Sequence, residues 1–204
     1  MSKSAFVSDD TWNQWINDAA KALHDKLVSA DEDYFTISTT ITWDGTSISY
    51  ALPSDFYKFR GIDYSLGGLQ TPMHKFEWSK RNNYQLTNGG IIRYRIVAGN
   101  LEFRPTPAAG SCTLWYVPAF EALDEDDDEF DGINGWELYI VLMAAKWALA
   151  KEESDTTEIT REIMEIEERI NKLSSDRDHS EPECVTDIHT HGHRRYYMGD
   201  GSDC

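Results

Sequence analysis

Apolar positions change their period along this chain, and each change predicts a different element. From residue 9 to 30, Trp12, Ile16, Ala19, Leu23 and Leu27 recur at spacings of four, three, four and four. That is one stripe of an α-helix. Trp15 widens the apolar face, and Asp9 or Asp10 stands where a helix cap belongs. Over residues 34–52 the period falls to two. Phe35, Ile37, Thr39, Ile41 and Trp43 alternate with polar neighbours, and Ile48, Tyr50 and Leu52 alternate beyond Asp44-Gly45. Alternation on both sides of an Asp-Gly pair predicts a β-hairpin. Pro53 stops the second strand, and residues 54–57 predict a short turn of helix.

Weaker signals follow. They are a strand around residues 62–64, a turn at Gly67-Gly68 and a short helix over residues 74–82. A second β region then runs from residue 91 to 98, turns at Gly99-Asn100 and returns over residues 101–104. Pro105 and Pro107 end it, and residues 111–117 form one more strand before Pro118.

After residue 131 the helical period returns. A helix over residues 136–153 is the most apolar stretch of the chain. Leu138, Leu142, Ala145 and Leu149 share a face, flanked by Ile140, Val141, Trp147 and Ala148. It is expected at the centre of the helical layer. Ser154-Asp155 breaks it, and Asp155 with Glu158 resembles a capping box. The next helix, over residues 156–175, carries Ile159, Ile163, Ile166, Ile170 and Leu173 at spacings of four, three, four and three. That is a coiled-coil seam, and the charged remainder faces solvent.

The fold class expected is α+β. Residues 1–33 and 132–179 form a helical bundle, from an N-terminal helix and a C-terminal helical hairpin. Residues 34–118 are an inserted antiparallel β module, residues 119–131 an acidic loop, and residues 180–204 an extended C-terminal docking arm.

Charge narrows the function. Asp and Glu number 36 against 19 Lys and Arg, a formal net charge of −17. Such a balance argues against a general grip on nucleic acid or on an anionic membrane. It suits DNA that passes nearby without being held. No apolar run reaches the length of a membrane span, and the opening MSKSAFVSDD has no secretory apolar region. Cys112, Cys184 and Cys204 are widely spaced, without a disulfide or zinc pattern. Production in a cytoplasm is expected. The seven Trp, ten Tyr and eight Phe suit a small core or an interface.

The acidic run over residues 121–131 reads as a solvated loop, because it lacks the spaced ligands and central Gly of an EF-hand. His189, His191 and His193 alternate and would share one face of an extended strand. Imidazoles at that spacing ligate zinc, nickel or copper, but no fixed fourth ligand accompanies them, so no metal site is assigned. No nucleophile elbow, P-loop or dinucleotide fingerprint is present. No catalytic residue and no cofactor are therefore expected. Cys112 reads as a small core residue. Arg194-Arg195-Tyr196-Tyr197-Met198 concentrates positive charge and aromatics in an acidic chain. Those types are enriched at interface hot spots, so this segment is the candidate partner-binding site, with docking onto its own subunit as the competing reading.

Several short motifs occur in a familiar order. Tyr50-Ala51-Leu52-Pro53-Ser54-Asp55-Phe56-Tyr57-Lys58 follows the first helix. Gly99-Asn100-Leu101-Glu102-Phe103-Arg104-Pro105-Thr106-Pro107 comes next, then Leu114-Trp115-Tyr116-Val117-Pro118. The stretch from Ala144 to Asp155 opens the helical hairpin, and Arg177-Asp178 with Pro182 to Asp187 leads into the tail. In this order the chain resembles the head-to-tail adaptor (connector) proteins of tailed bacteriophages. The resemblance implies a structural virion protein rather than an enzyme. It implies a ring, commonly of twelve subunits, beneath the portal. The C-terminal segment would dock on the portal protein, the opposite surface would meet the next tail component, and DNA would pass through the lumen. Two other readings stay open: another neck or tail ring, such as a stopper or tail-tube protein, and a metal- or carboxylate-dependent virion hydrolase.

Overall fold

The computed structural model describes residues 7–31, 33–66, 69–85, 91–125, 128–130 and 135–177. The chain is mixed α+β, with three α-helices and two antiparallel sheets among the described residues. The expected Gly67-Gly68 turn, the histidine run and the 180–204 arm lie outside the described residues.

Helix α1 spans Asp9–Ala30. Its cap is Ser8, whose Oγ accepts the Thr11 amide at 3.3 Å. Asp9 and Asp10 sit in the first turn instead, where their carboxylates complement the helix dipole. Helices α2 (Glu137–Lys151) and α3 (Thr157–Arg177) follow the β region. Asp155 accepts the Thr157 amide at 2.9 Å, but Glu158 does not complete a capping box, because its carboxylate pairs with Arg161. The three helices share one core. Leu23 and Leu27 of α1, Tyr139, Ile140 and Leu142 of α2, and Ile163, Ile166 and Ile170 of α3 are all buried in it. Lys26 Nζ lies 3.0 Å from Glu167, and further along both helices Ser29 lies beside Ile170 and Asn171, so α3 runs alongside α1 in the same direction.

The expected face of α2 is corrected. Its inward side is Tyr139, Ile140, Leu142 and Ala144, while Leu138 and Val141 are 51% and 61% exposed. A helix apolar on every side gives periodicity no contrast with which to choose a face.

One sheet has the strand order β1-β7-β3-β4, from Ile37–Trp43, Gly110–Pro118, Phe56–Leu66 and Leu69–Pro72. The other is β2-β6-β5, from Ser49–Ala51, Asn100–Arg104 and Arg93–Val97. They pack face to face over Trp43, Ile62, Leu101, Phe103, Cys112 and Leu114. Trp43 meets Phe103 edge-on at 5.2 Å.

The Asp44-Gly45 hairpin does not form. β1 pairs with β7 and β2 with β6, so the chain changes sheet at this turn. Asp44 closes the turn on itself. Its Oδ1 accepts the amides of Thr46 and Ser47 at 2.8 and 2.7 Å, and its Oδ2 accepts the Ser47 hydroxyl. These bonds, the Ser47 hydroxyl foremost, hold the Asp44 carboxyl well below its usual pKa. The turn of helix expected at residues 54–57 is also corrected, since Phe56 already begins β3. The helix expected over residues 74–82 reduces to a 3-10 turn at Trp78–Lys80. The tight turn of the second sheet falls at Ala98 and Gly99, one residue earlier than expected. Both have positive φ, and they join the paired Val97 and Asn100.

Candidate functional site

The motifs that carry the family resemblance lie far apart in sequence and touch in space. The Tyr116 hydroxyl reaches both carboxylate oxygens of Asp55, at 3.0 Å each. Phe56 stacks on the Tyr116 ring at 5.8 Å and pairs in register with Pro118. Tyr50 and Leu101 are paired neighbours in β2 and β6, and the Leu52 amide donates to the Gly99 carbonyl. The Asp of the Leu-Pro-Ser-Asp-Phe passage thus ties the start of β3 to the end of β7. Sequence reading had given it only a turn.

This knot forms one wall of a hollow of about 720 Å3 between the helices and the first sheet. Its other walls come from His24 on α1, Phe35 and Ile37 at the start of β1, and Phe120, Leu123 and Phe130 after β7. His24 is 5% exposed. It stacks on Phe35 at 4.8 Å and meets Tyr57 edge-on at 5.7 Å. Burial lowers its pKa, against the pull of neighbouring Asp25. The segment after β7 is clasped to α1. Asn17 Nδ2 donates to the Leu123 carbonyl at 3.1 Å, and Asn17 Oδ1 accepts the Leu123 amide at 2.8 Å. The region expected as a solvated acidic loop therefore turns Phe120, Leu123 and Phe130 onto the helical core. Three isolated apolar residues among carboxylates gave no periodic signal.

Two exposed features lie elsewhere. Leu138 and Val141, one turn apart, give α2 an outward apolar face. On the outer face of the first sheet, Trp115 is 40% exposed, lies opposite Gly61 and donates its indole N–H to Asp63 at 2.8 Å.

The residues expected to bind a partner, Arg194, Arg195, Tyr196, Tyr197 and Met198, lie outside the described residues, as do His189, His191 and His193. Among the described residues no cluster of His, Cys, Asp and Glu is arranged to hold a metal ion, and no helix is long and apolar enough to cross a membrane.

Cys112 is a buried residue of β7, as expected, and burial pushes its thiol up to about 12. At pH 8 its thiolate is rarer than its thiol by roughly 10⁴-fold. A short pulse of iodoacetamide on the native protein is expected to leave Cys112 unmodified, and the same pulse in guanidinium to alkylate it. Peptide mapping reads the result. Fast native alkylation would show that β7 is not shielded.

No curated protein matches the chain. A family model described as "SU10 adaptor protein" matches residues 3–185. That span holds the motifs quoted above, but for the last two residues of the stretch from Pro182 to Asp187, together with the knot that Asp55 and Tyr116 build from them, and the chain belongs to the SU10 adaptor protein family.

Proposed function

We propose that this chain is a head-to-tail adaptor, a structural virion protein without enzymatic activity. It forms a ring of twelve subunits in the neck of a tailed phage, between the portal and the next tail component. The observation that carries this reading is the family match over residues 3–185. The division into helical bundle, β module, acidic loop and docking arm is part of the same proposal. So is portal docking through Arg194, Arg195, Tyr196, Tyr197 and Met198.

Two physical features support it. Each subunit carries a formal charge of −17, so a lumen of such subunits repels DNA and lets it pass unheld. The outward apolar face of α2 gives like-charged copies something to bury against each other. Because the copies repel, assembly depends on salt and counterions. Subunits gather in the host cytoplasm and end in the virion.

Quantitative mass spectrometry of purified particles tests the reading. The chain is expected at a ratio near one to one with the portal protein. Its absence from the particle would overturn the proposal.

A further inference from the structure

The hollow beneath the first sheet is lined by the rings of Phe35, Phe120 and Phe130 and by His24. Asp55, Glu121 and Glu129 line it too, and among the described residues no Lys or Arg does. Glu121 and Glu129 have no hydrogen-bond or ion-pair partner among the described residues. Aromatic faces beside carboxylates are the environment that takes a guanidinium, by cation–π contact and by charged hydrogen bonds.

The hollow also opens beside an unpaired strand edge. β1 is the outer strand of its sheet, hydrogen-bonded to β7 on one side only. Its sequence, Ile-Ser-Thr-Thr-Ile-Thr-Trp, contains no charge and no proline to discourage pairing. Ile37, at the end nearest the hollow, is 42% exposed.

We propose that in the free subunit this seat is occupied by the chain's own C-terminal segment, residues 185–197. Three observations select that occupant. First, Arg194-Arg195-Tyr196-Tyr197 carries two adjacent guanidinium groups and two aromatic rings, the complement of the hollow. Second, α3 delivers the tail to the right end of the molecule. Glu167 pairs with Lys26, and Ile170 and Asn171 lie beside Asp25 and Ser29, so α3 ends near the end of α1, where the chain turns into β1. Third, residues 185–191, Val-Thr-Asp-Ile-His-Thr-His, are seven residues of mostly strand-favouring type, the length of β1. Laid antiparallel along β1, with residue 185 near Trp43 and residue 191 near Ile37, they bring Arg194 and Arg195 to the hollow. The eight residues from Arg177 to Val185 reach about 26 Å when extended. A seven-residue strand is about 20 Å long, so the link suffices. The docked tail would cover the open edge until the subunit meets its partners.

Amide hydrogen exchange on the full-length chain tests this, with Arg194→Ala/Arg195→Ala and Glu121→Lys/Glu129→Lys as comparison variants. In the parent protein, residues 185–191 are expected to exchange at least ten-fold slower than an unstructured peptide. Each variant is expected to lose that protection, while the amides of α1 stay as slow as before. Random-coil exchange of residues 185–191 in the parent would overturn the proposal. So would protection that appears only as concentration rises, since the seat would then be filled by a neighbouring copy. The proposal concerns the free subunit, so portal binding by these variants bears on the adaptor reading and not on this one.

Discussion

Ending the chain after Asp187 is expected to leave a folded, soluble monomer that no longer binds the portal. The helical core is built from residues of α1, α2 and α3, and the sheet core from residues between Ile41 and Tyr116. The truncation touches neither and removes only the tail's own docking, so the thermal midpoint should move by no more than about 6 °C, the effect of roughly 1.5 kcal/mol in a chain of this size. Binding is another matter. The lost segment holds Arg194, Arg195, Tyr196, Tyr197 and Met198. Truncating an Arg or Tyr hot spot costs about 2 kcal/mol or more, so losing two such anchors weakens binding roughly 1,000-fold. Calorimetric titration against assembled portal reads this directly. Binding at parental affinity by the truncated chain would remove the tail from the interface and send the search to the faces of α2 and the first sheet.

Where local chemistry and tertiary contact agree, the sequence was readable. The seam of α3 is buried at Ile163, Ile166 and Ile170 because a 4-3 spacing leaves one face and no other for packing. The stripe of α1 is legible for the same reason. The second sheet was found from alternation around a Gly turn, and only the turn's position shifted. What escaped depended on long-range choice. Asp44-Gly45 favours reversal whether the next strand returns to its neighbour or crosses to another sheet. Asp44 settles its own turn through Thr46 and Ser47 without reference to either sheet. β3 was read too short because Pro53-Ser54-Asp55 resembles a helix start, and β4 was missed because it is four residues long and ends in Pro72. The hollow was invisible. His24, Asp55, Pro118 and Phe130 come from four separate stretches, and no local pattern says that they meet.

The outward face of α2 yields the other large expected effect. Leu138→Glu with Val141→Glu should leave the subunit folded and abolish its incorporation into the ring. These side chains are 51% and 61% exposed, so the folded monomer loses little when they become polar. An interface that buries their exposed half gains about 1–1.5 kcal/mol from each, and the substitution replaces that gain with two added negative charges on subunits already at −17. Leu142→Glu provides the contrast. Leu142 is 9% exposed and packs in the helical core, so a carboxylate there should unfold the subunit rather than merely unseat it. Circular dichroism separates the two outcomes, and assembly on purified portal followed by electron microscopy reads the ring. A normal ring from the double variant would mean that α2's apolar face looks outward for some reason other than its neighbours. Loss of the ring with an unchanged thermal midpoint would place a subunit contact on this helix. The apolar excess that blurred α2's periodicity would then have its cause, since a helix that packs inward on one face and against another subunit on the other has no face to leave polar.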